Sequence, residues 1–149
     1  MLIDKPDWSG TWRGMMHVYP KEAGPNNLQI TLELGPFPTP ENNCTLWKGT
    51  YRQDGKIVVV KDYRLCRRDT DEDLFTDERN GIILDTQWIA GELITPYKAD
   101  QIFYVVTNRL RGDIFQEEII TVDDTNSTDK VQSLRTRVVY RTQMKRLHR

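Results

Sequence analysis

Residues 7–20 read "DWSGTWRGMMHVYP". Trp8 and Trp12 flank Gly10, so half of the chain's four tryptophans lie within its first twelve residues. Read as an extended segment, Trp12, Gly14, Met16 and Val18 fall on one face and Arg13, Met15 and His17 on the other. The physical reading is a first strand whose tryptophan faces an apolar interior, beside a glycine that lets another strand cross close by.

The alternation recurs downstream. Leu28, Ile30, Leu32 and Leu34 alternate with Gln29, Thr31 and Glu33, which makes a strand with one wet face. Most other apolar runs are short and rich in Val, Ile, Thr, Tyr and Trp, residues suited to a pleated, half-buried surface. Turn dipeptides separate them: Asp54-Gly55, Asn80-Gly81, Ala90-Gly91 and Gly112-Asp113. They divide the chain into about ten strands, roughly 9–19, 27–35, 44–53, 56–67, 73–79, 81–89, 92–97, 101–110, 114–122 and 131–145. "PKEAGPNN" and "LGPFPTPENN" are the connections able to carry a lid or a short helix. The last segment also admits a helix, with Val131, Leu134, Val138 and Thr142 on one stripe, but "TRVVYRT" is β-branched and aromatic and favours a strand. A meander of short strands removes both its edges by closing on itself, which pairs the last strand with the first. The expected fold is all-β: one domain over residues 1–149, a closed antiparallel up-and-down barrel of roughly eight to ten strands.

Composition narrows the function. The 149 residues can bury a real core, but at 38% hydrophobic they line one curved sheet rather than build two thick apolar layers. A net charge of −1 argues against a nucleic-acid partner. The charge is unevenly spread: Asp69 to Glu78 is acidic, while Arg135 to Arg149 is basic and holds no acid. No apolar stretch is long enough to span a bilayer. "MLIDKPDW" has neither a basic start nor an apolar core, so no secretory leader is expected and the expected location is cytoplasmic. In a reducing cytoplasm Cys44 and Cys66 default to free thiols. Counting across the Asp54-Gly55 turn sets Cys44 opposite Leu65, and a one-residue bulge would set the cysteines side by side, so a disulfide and a metal half-site stay open. The sequons Asn43-Cys44-Thr45 and Asn126-Ser127-Thr128 carry no meaning in a cytoplasmic chain.

Gly10-Thr11-Trp12 on the first strand of such a meander resembles the calycin superfamily of lipocalins, fatty-acid-binding proteins and nitrobindins. The resemblance implies that Trp12 plugs the closed end of the barrel and that a basic residue of the last strand, Arg137 or Arg141, lies across its indole. Trp8 stands where fatty-acid-binding proteins usually have Phe. Gly10, Trp12, Gly14, Tyr19 and Pro20 are similar to the ends of the nitrobindin pattern, with Met15, Met16 and His17 in place of its alternating glycines. Nitrobindins hold haem through a C-terminal histidine, which makes His148 the haem-ligand candidate here; His17 should point outward. The Arg-x-Tyr anchor of fatty-acid-binding proteins is one residue longer in this chain, as Arg137-Val138-Val139-Tyr140.

Nucleophile and phosphate-loop motifs are missing, and the stretch from Asp69 to Asn80 lacks the glycine and the final glutamate of an EF-hand loop. Arg111-Gly112-Asp113 reads as turn chemistry. The expected function is therefore non-covalent binding of a small, mostly apolar or acidic molecule inside the barrel, with no metal and no cofactor, haem through His148 being the alternative. Trp12, Met16, Trp47, Tyr63, Trp88 and Tyr104 are the candidate lining, and Arg109 the polar anchor. The other strand arginines are expected outside, paired with Glu117, Glu118 and similar acids. The interior pocket should be on the order of several hundred Å³. Two other classes stand beside this reading: a haem-dependent or cofactor-free isomerase using the same cavity, and an interaction protein whose barrel is filled by its own side chains.

Overall fold

The computed structural model describes residues 5–125 and 127–149; Met1 to Asp4 of "MLIDKPDW" and Asn126 of the second sequon lie outside the described residues. Ten strands follow one another: β1 Gly10–Tyr19, β2 Leu28–Leu34, β3 Cys44–Gln53, β4 Lys56–Arg67, β5 Asp73–Asp77, β6 Ile83–Ile89, β7 Glu92–Ala99, β8 Ile102–Arg111, β9 Ile114–Asp123 and β10 Thr136–His148. Each is antiparallel to its neighbour, and β10 returns to β1, so the sheet closes as an up-and-down barrel. "PKEAGPNN" carries only a short 3-10 turn, Lys21–Ala23. The last segment is a strand, as its β-branched residues favour, but it begins at Thr136 and runs to His148. No described helix is long and apolar enough to cross a membrane.

The closing seam needs glycine. A Cβ at Gly14 would overlap the backbone carbonyl of Gln143 on β10, and Gly10 sits at φ +128° with β10 equally close. Because β10 comes in tight, Trp12 lies directly across from Arg146. The Arg146 guanidinium rests 4.5 Å from the Trp12 ring centroid and donates to the Asp7 carbonyl. This corrects the expected partner. Arg137 instead pairs with Asp123 at 3.2 Å and Arg141 with Glu118 at 2.5 Å. The reason is register: β10 reaches three residues past its expected end at 145, and the arginine that arrives opposite Trp12 is a later one.

Below that seam lies an aromatic plug. Trp8, just before β1, is 0% exposed, and its carbonyl accepts the Trp12 indole N–H at 2.8 Å. Phe37, Trp47, Trp88 and Phe115 surround the Trp8 ring at 5.5, 5.5, 5.8 and 5.9 Å between centroids. Phe37 comes from the β2–β3 connection, which folds under the barrel. The "DTDED" stretch lies at the same end and is partly neutralised: Asp71 bonds Lys5 at 2.7 Å and Arg67 at 3.0 Å, and Asp73 lies 3.6 Å from Arg68.

Cys44 and Cys66 are joined by a disulfide across β3 and β4, which corrects the default of free thiols. A bulge near the far end of the hairpin, between Tyr51 and Arg52, supplies the one-residue shift that brings them into register.

The opposite end is thinner. The short β5 covers β4 only from Arg64 to Arg67, so residues 57–63 have no ladder on that side. Ile57, Val58, Val59 and Val60 are all exposed there. The β6–β7 ladder likewise stops at Gln87 and Ile94. The wall is notched toward the mouth on both sides of the β5–β6 hairpin.

Candidate ligand site

With the plug in the closed half, the interior that remains is a partly open cavity of about 100 Å³ in the mouth half. That is smaller than the several hundred Å³ expected from strand number. The cause is Trp8, which is not a strand residue at all: a whole indole enters from before β1 and takes up the lower interior.

Inward parity of β3, β4 and β7 to β9 builds the wall. Trp47 forms the floor, touching the plug on one side and the cavity on the other. Leu32, Leu65, Leu93, Val106 and Ile119 supply the apolar surface. Three tyrosines, Tyr51, Tyr63 and Tyr97, face the same space. One wall carries a ladder of hydroxyls across β5, β6 and β7: Thr86 Oγ1 lies 2.8 Å from Thr76 Oγ1 and 2.9 Å from Thr95 Oγ1. These hydroxyls satisfy one another, which keeps the polar atoms of that wall from being orphaned.

Three charged side chains line the cavity: Lys61, Glu78 and Glu117. Asn108 is buried and donates from Nδ2 to Glu117 Oε2 at 2.9 Å. The Lys61 ammonium sits 4.8 Å from the Tyr51 ring centroid and is attracted by the face of the ring. Among the described residues, neither glutamate has an ion-pair partner. The field they set up is visible in the tyrosines. Burial first, then the Glu117 carboxylate, hold the Tyr51 hydroxyl far above its ordinary pKa. Tyr63 is pushed up to about 12 by burial and then by Glu78. Tyr97 is pushed up to about 12 by burial and then by Tyr104, with Glu78 and Glu117 adding to it.

The chain matches no protein family, no curated protein and no solved structure. The site is therefore read from its own geometry.

Of the expected lining residues, Trp47 and Tyr63 face the cavity. Trp12, Met16 and Trp88 belong to the core and plug, at 1%, 8% and 8% exposure. Tyr104 stacks on Tyr97 at 4.8 Å between centroids, beside the cavity. Arg109 is outside: its guanidinium bonds Glu92 at 3.3 Å, while its neighbour Asn108 takes the inward position. Parity explains the miss. Tyr104 and Arg109 are an odd number of residues apart on an unbulged strand, so they cannot share a face. Glu117 corrects the expectation of an exterior acid by the same rule: Glu118 bonds Arg141 outside, and Glu117 turns in.

A haem does not fit these residues. His148 is exposed at the closed end, opposite Thr11, and His17 is exposed on the outer face of β1. No histidine, cysteine or methionine lines the cavity. Sequence reasoning missed Tyr51, Lys61, Glu78, Tyr97, Asn108 and Glu117. Counting by twos from Tyr63 reaches Lys61, and from Phe115 reaches Glu117. Glu78 lies in a turn beyond β5, where no periodicity points.

Proposed function

We propose that the protein binds a small, mostly apolar molecule non-covalently in the mouth half of a calycin-like barrel. The observation that carries this reading is the partly open cavity itself, with an apolar floor at Trp47 and convergent polar groups nearer the mouth. Small-molecule sites have that composition. Its volume is of the same order as the roughly 150 Å³ that accepts a benzene-sized guest. A guest of that size fits, and a long acyl chain does not. An acidic guest is disfavoured as well, since Arg109 lies outside and Glu78 and Glu117 outnumber Lys61 in the wall.

The test is a titration of the whole protein with benzyl alcohol, followed by tryptophan fluorescence and thermal shift. Trp47 on the floor should report saturable binding. Val106→Phe should abolish the response by filling the cavity, with the melting temperature held or raised. A response that never saturates, or that persists unchanged in Val106→Phe, removes the cavity as the site.

A second reading, an interaction protein, draws on the bare apolar edge of β4. An extended segment of a partner can add to such an edge as a further strand. Val60→Lys should then abolish complex formation without touching benzyl alcohol binding; a complex that survives Val60→Lys counts against the edge.

A further inference from the structure

The cavity has a charge as well as a shape, and the charge selects among ligands. Glu117 sits at mid-height of β9, between Asn108 on β8 and Thr142 on β10. Thr142 is buried and so is Asn108, so the carboxylate projects from a closed part of the wall into the interior. Asn108 gives it one hydrogen bond, to Oε2 at 2.9 Å. A carboxylate accepts about four hydrogen bonds, and Glu117 is half-buried, so among the described residues most of its acceptor capacity is left to solvent or to a guest. Glu78 adds a second carboxylate near the rim.

Lys61, the one cation in the wall among the described residues, does not cancel them. Lys61 is held over Tyr51 and bonds neither glutamate. The lining thus carries two carboxylates against one ammonium. Charge in a low-dielectric wall is stabilised when an opposite charge comes to it. A neutral guest leaves Glu117 more buried and still unpaired. An anionic guest adds repulsion. A guest with an ammonium group supplies the missing partner in a wall that also carries the aromatic side chains of Tyr51, Tyr63 and Tyr97. The apolar floor of Trp47, Leu65 and Leu93 then takes the other end of the molecule.

From this we propose that the cavity is a site for a small protonated amine with a compact apolar or aromatic tail, its ammonium bonded to Glu117. The inference rests on the small-molecule reading given above and narrows it to a ligand class. Glu117 acts as the ionic anchor, Asn108 positions its carboxylate, and the tyrosines share the lining. Lys61 competes with the ligand for the same negative field.

A matched set of probes tests it: benzylamine, benzyl alcohol and benzoate, which share a ring and differ in charge. Binding to the whole protein is measured near neutral pH by calorimetry and tryptophan fluorescence. Benzylamine should bind roughly ten- to a hundredfold more tightly than benzyl alcohol, the span expected of a charge-assisted hydrogen bond. Benzoate should bind weakest. Glu117→Gln should remove the preference, bringing the affinity for benzylamine down to that for benzyl alcohol or below it. Lys61→Met, which leaves Glu117 untouched, should strengthen benzylamine severalfold and guards against a Glu117 variant that fails to fold. If benzyl alcohol or benzoate binds as well as benzylamine, or if the amine preference survives Glu117→Gln, the amine assignment is overturned while the cavity remains a binding site. If none of the three binds, the small-molecule reading falls together with it.

Discussion

At the closed end, Trp8 and Trp12 are 0% and 1% exposed, locked together by a hydrogen bond and covered by Arg146. At the mouth, Tyr51, Tyr63 and Tyr97 face a space that the chain leaves unfilled. Both ends are rich in aromatic residues, yet they use them differently. The closed end packs rings against rings, joins β3 to β4 through the Cys44–Cys66 bridge, and draws the N-terminal segment under the barrel with Lys5–Asp71. The mouth end has a short β5, ladders that stop early, and rings in looser company: Tyr97 stacks on Tyr104 alone, and Tyr51 carries the Lys61 ammonium. The difference teaches that dense packing and open, charged lining are segregated along the barrel axis, so variants at the two ends should separate stability from the proposed ligand binding.

The largest effect belongs to the plug. Trp8→Ala or Trp12→Ala should each cost about 3–5 kcal/mol in urea unfolding, as truncation of a large buried aromatic does. Tyr97→Phe at the mouth keeps the ring and removes only a hydroxyl; it should cost less than about 1 kcal/mol. If Tyr97→Phe destabilises as much as either tryptophan truncation, the two ends are not distinct in energy.

The disulfide comes next. It closes a segment of 22 residues in sequence, for which the chain-entropy account gives about 3 kcal/mol. Replacing both cysteines with alanine should lower the urea midpoint accordingly and leave benzyl alcohol binding unchanged, because Cys44 and Cys66 do not line the cavity. A reducing cytoplasm would work against this bridge, so thiol titration of the freshly isolated protein shows which form the cell maintains. A binding site that collapses with the bridge would mean that the closed end shapes the mouth.

How legible all this was in the sequence depends on the kind of signal. Strand spacing and turn dipeptides are local, and they locate the first nine strands to within two residues; the last, with no glycine or proline before it, begins five residues later than expected. Gly10, Gly14 and Trp12 announced the seam because a close crossing and a large inward ring leave a mark on residue type. The identity of the arginine over Trp12 was hidden, since it depends on where β10 ends and so on a register set across the barrel. Trp8 stands out in the sequence as a second tryptophan beside Gly10, but its occupation of the interior, and hence the small cavity, is a tertiary fact. Arg109 and Glu117 were misassigned for a different reason. Each was judged by residue type, the arginine as an anchor and the glutamate as a surface acid, when alternation along its own strand already placed it on the other face.

A smaller effect is expected at the seam. Arg146→Met keeps much of the aliphatic cover over Trp12 and removes the cation and its bond to the Asp7 carbonyl. The loss should be about 1 kcal/mol, within the usual range for a cation over an indole. Arg141→Met, whose arginine sits on the barrel exterior with Glu118, should cost less. Equal costs would remove any special standing of the Trp12 contact.

The smallest effect is also the most direct probe of the mouth's charge. Tyr63 and Tyr97 have pKa values pushed up to about 12, from an ordinary value near 10. Between those values the folded chain keeps protons that the unfolded chain has released. The folded state then binds more protons, so stability is complete below pH 10 and declines as pH rises toward 12. Absorbance of the phenolate, followed from pH 9 upward, should show the steps of Tyr63 and Tyr97 near 12, with Tyr51 released later still, together with unfolding. Tyr97→Phe should remove one late step. Glu117→Gln should move all three steps downward, because its carboxylate raises each of them. Late steps that stay in place without Glu117 would mean that burial and the remaining groups, Glu78 among them, set them, and that Glu117 does not supply the negative field on which the proposed preference for a cation rests.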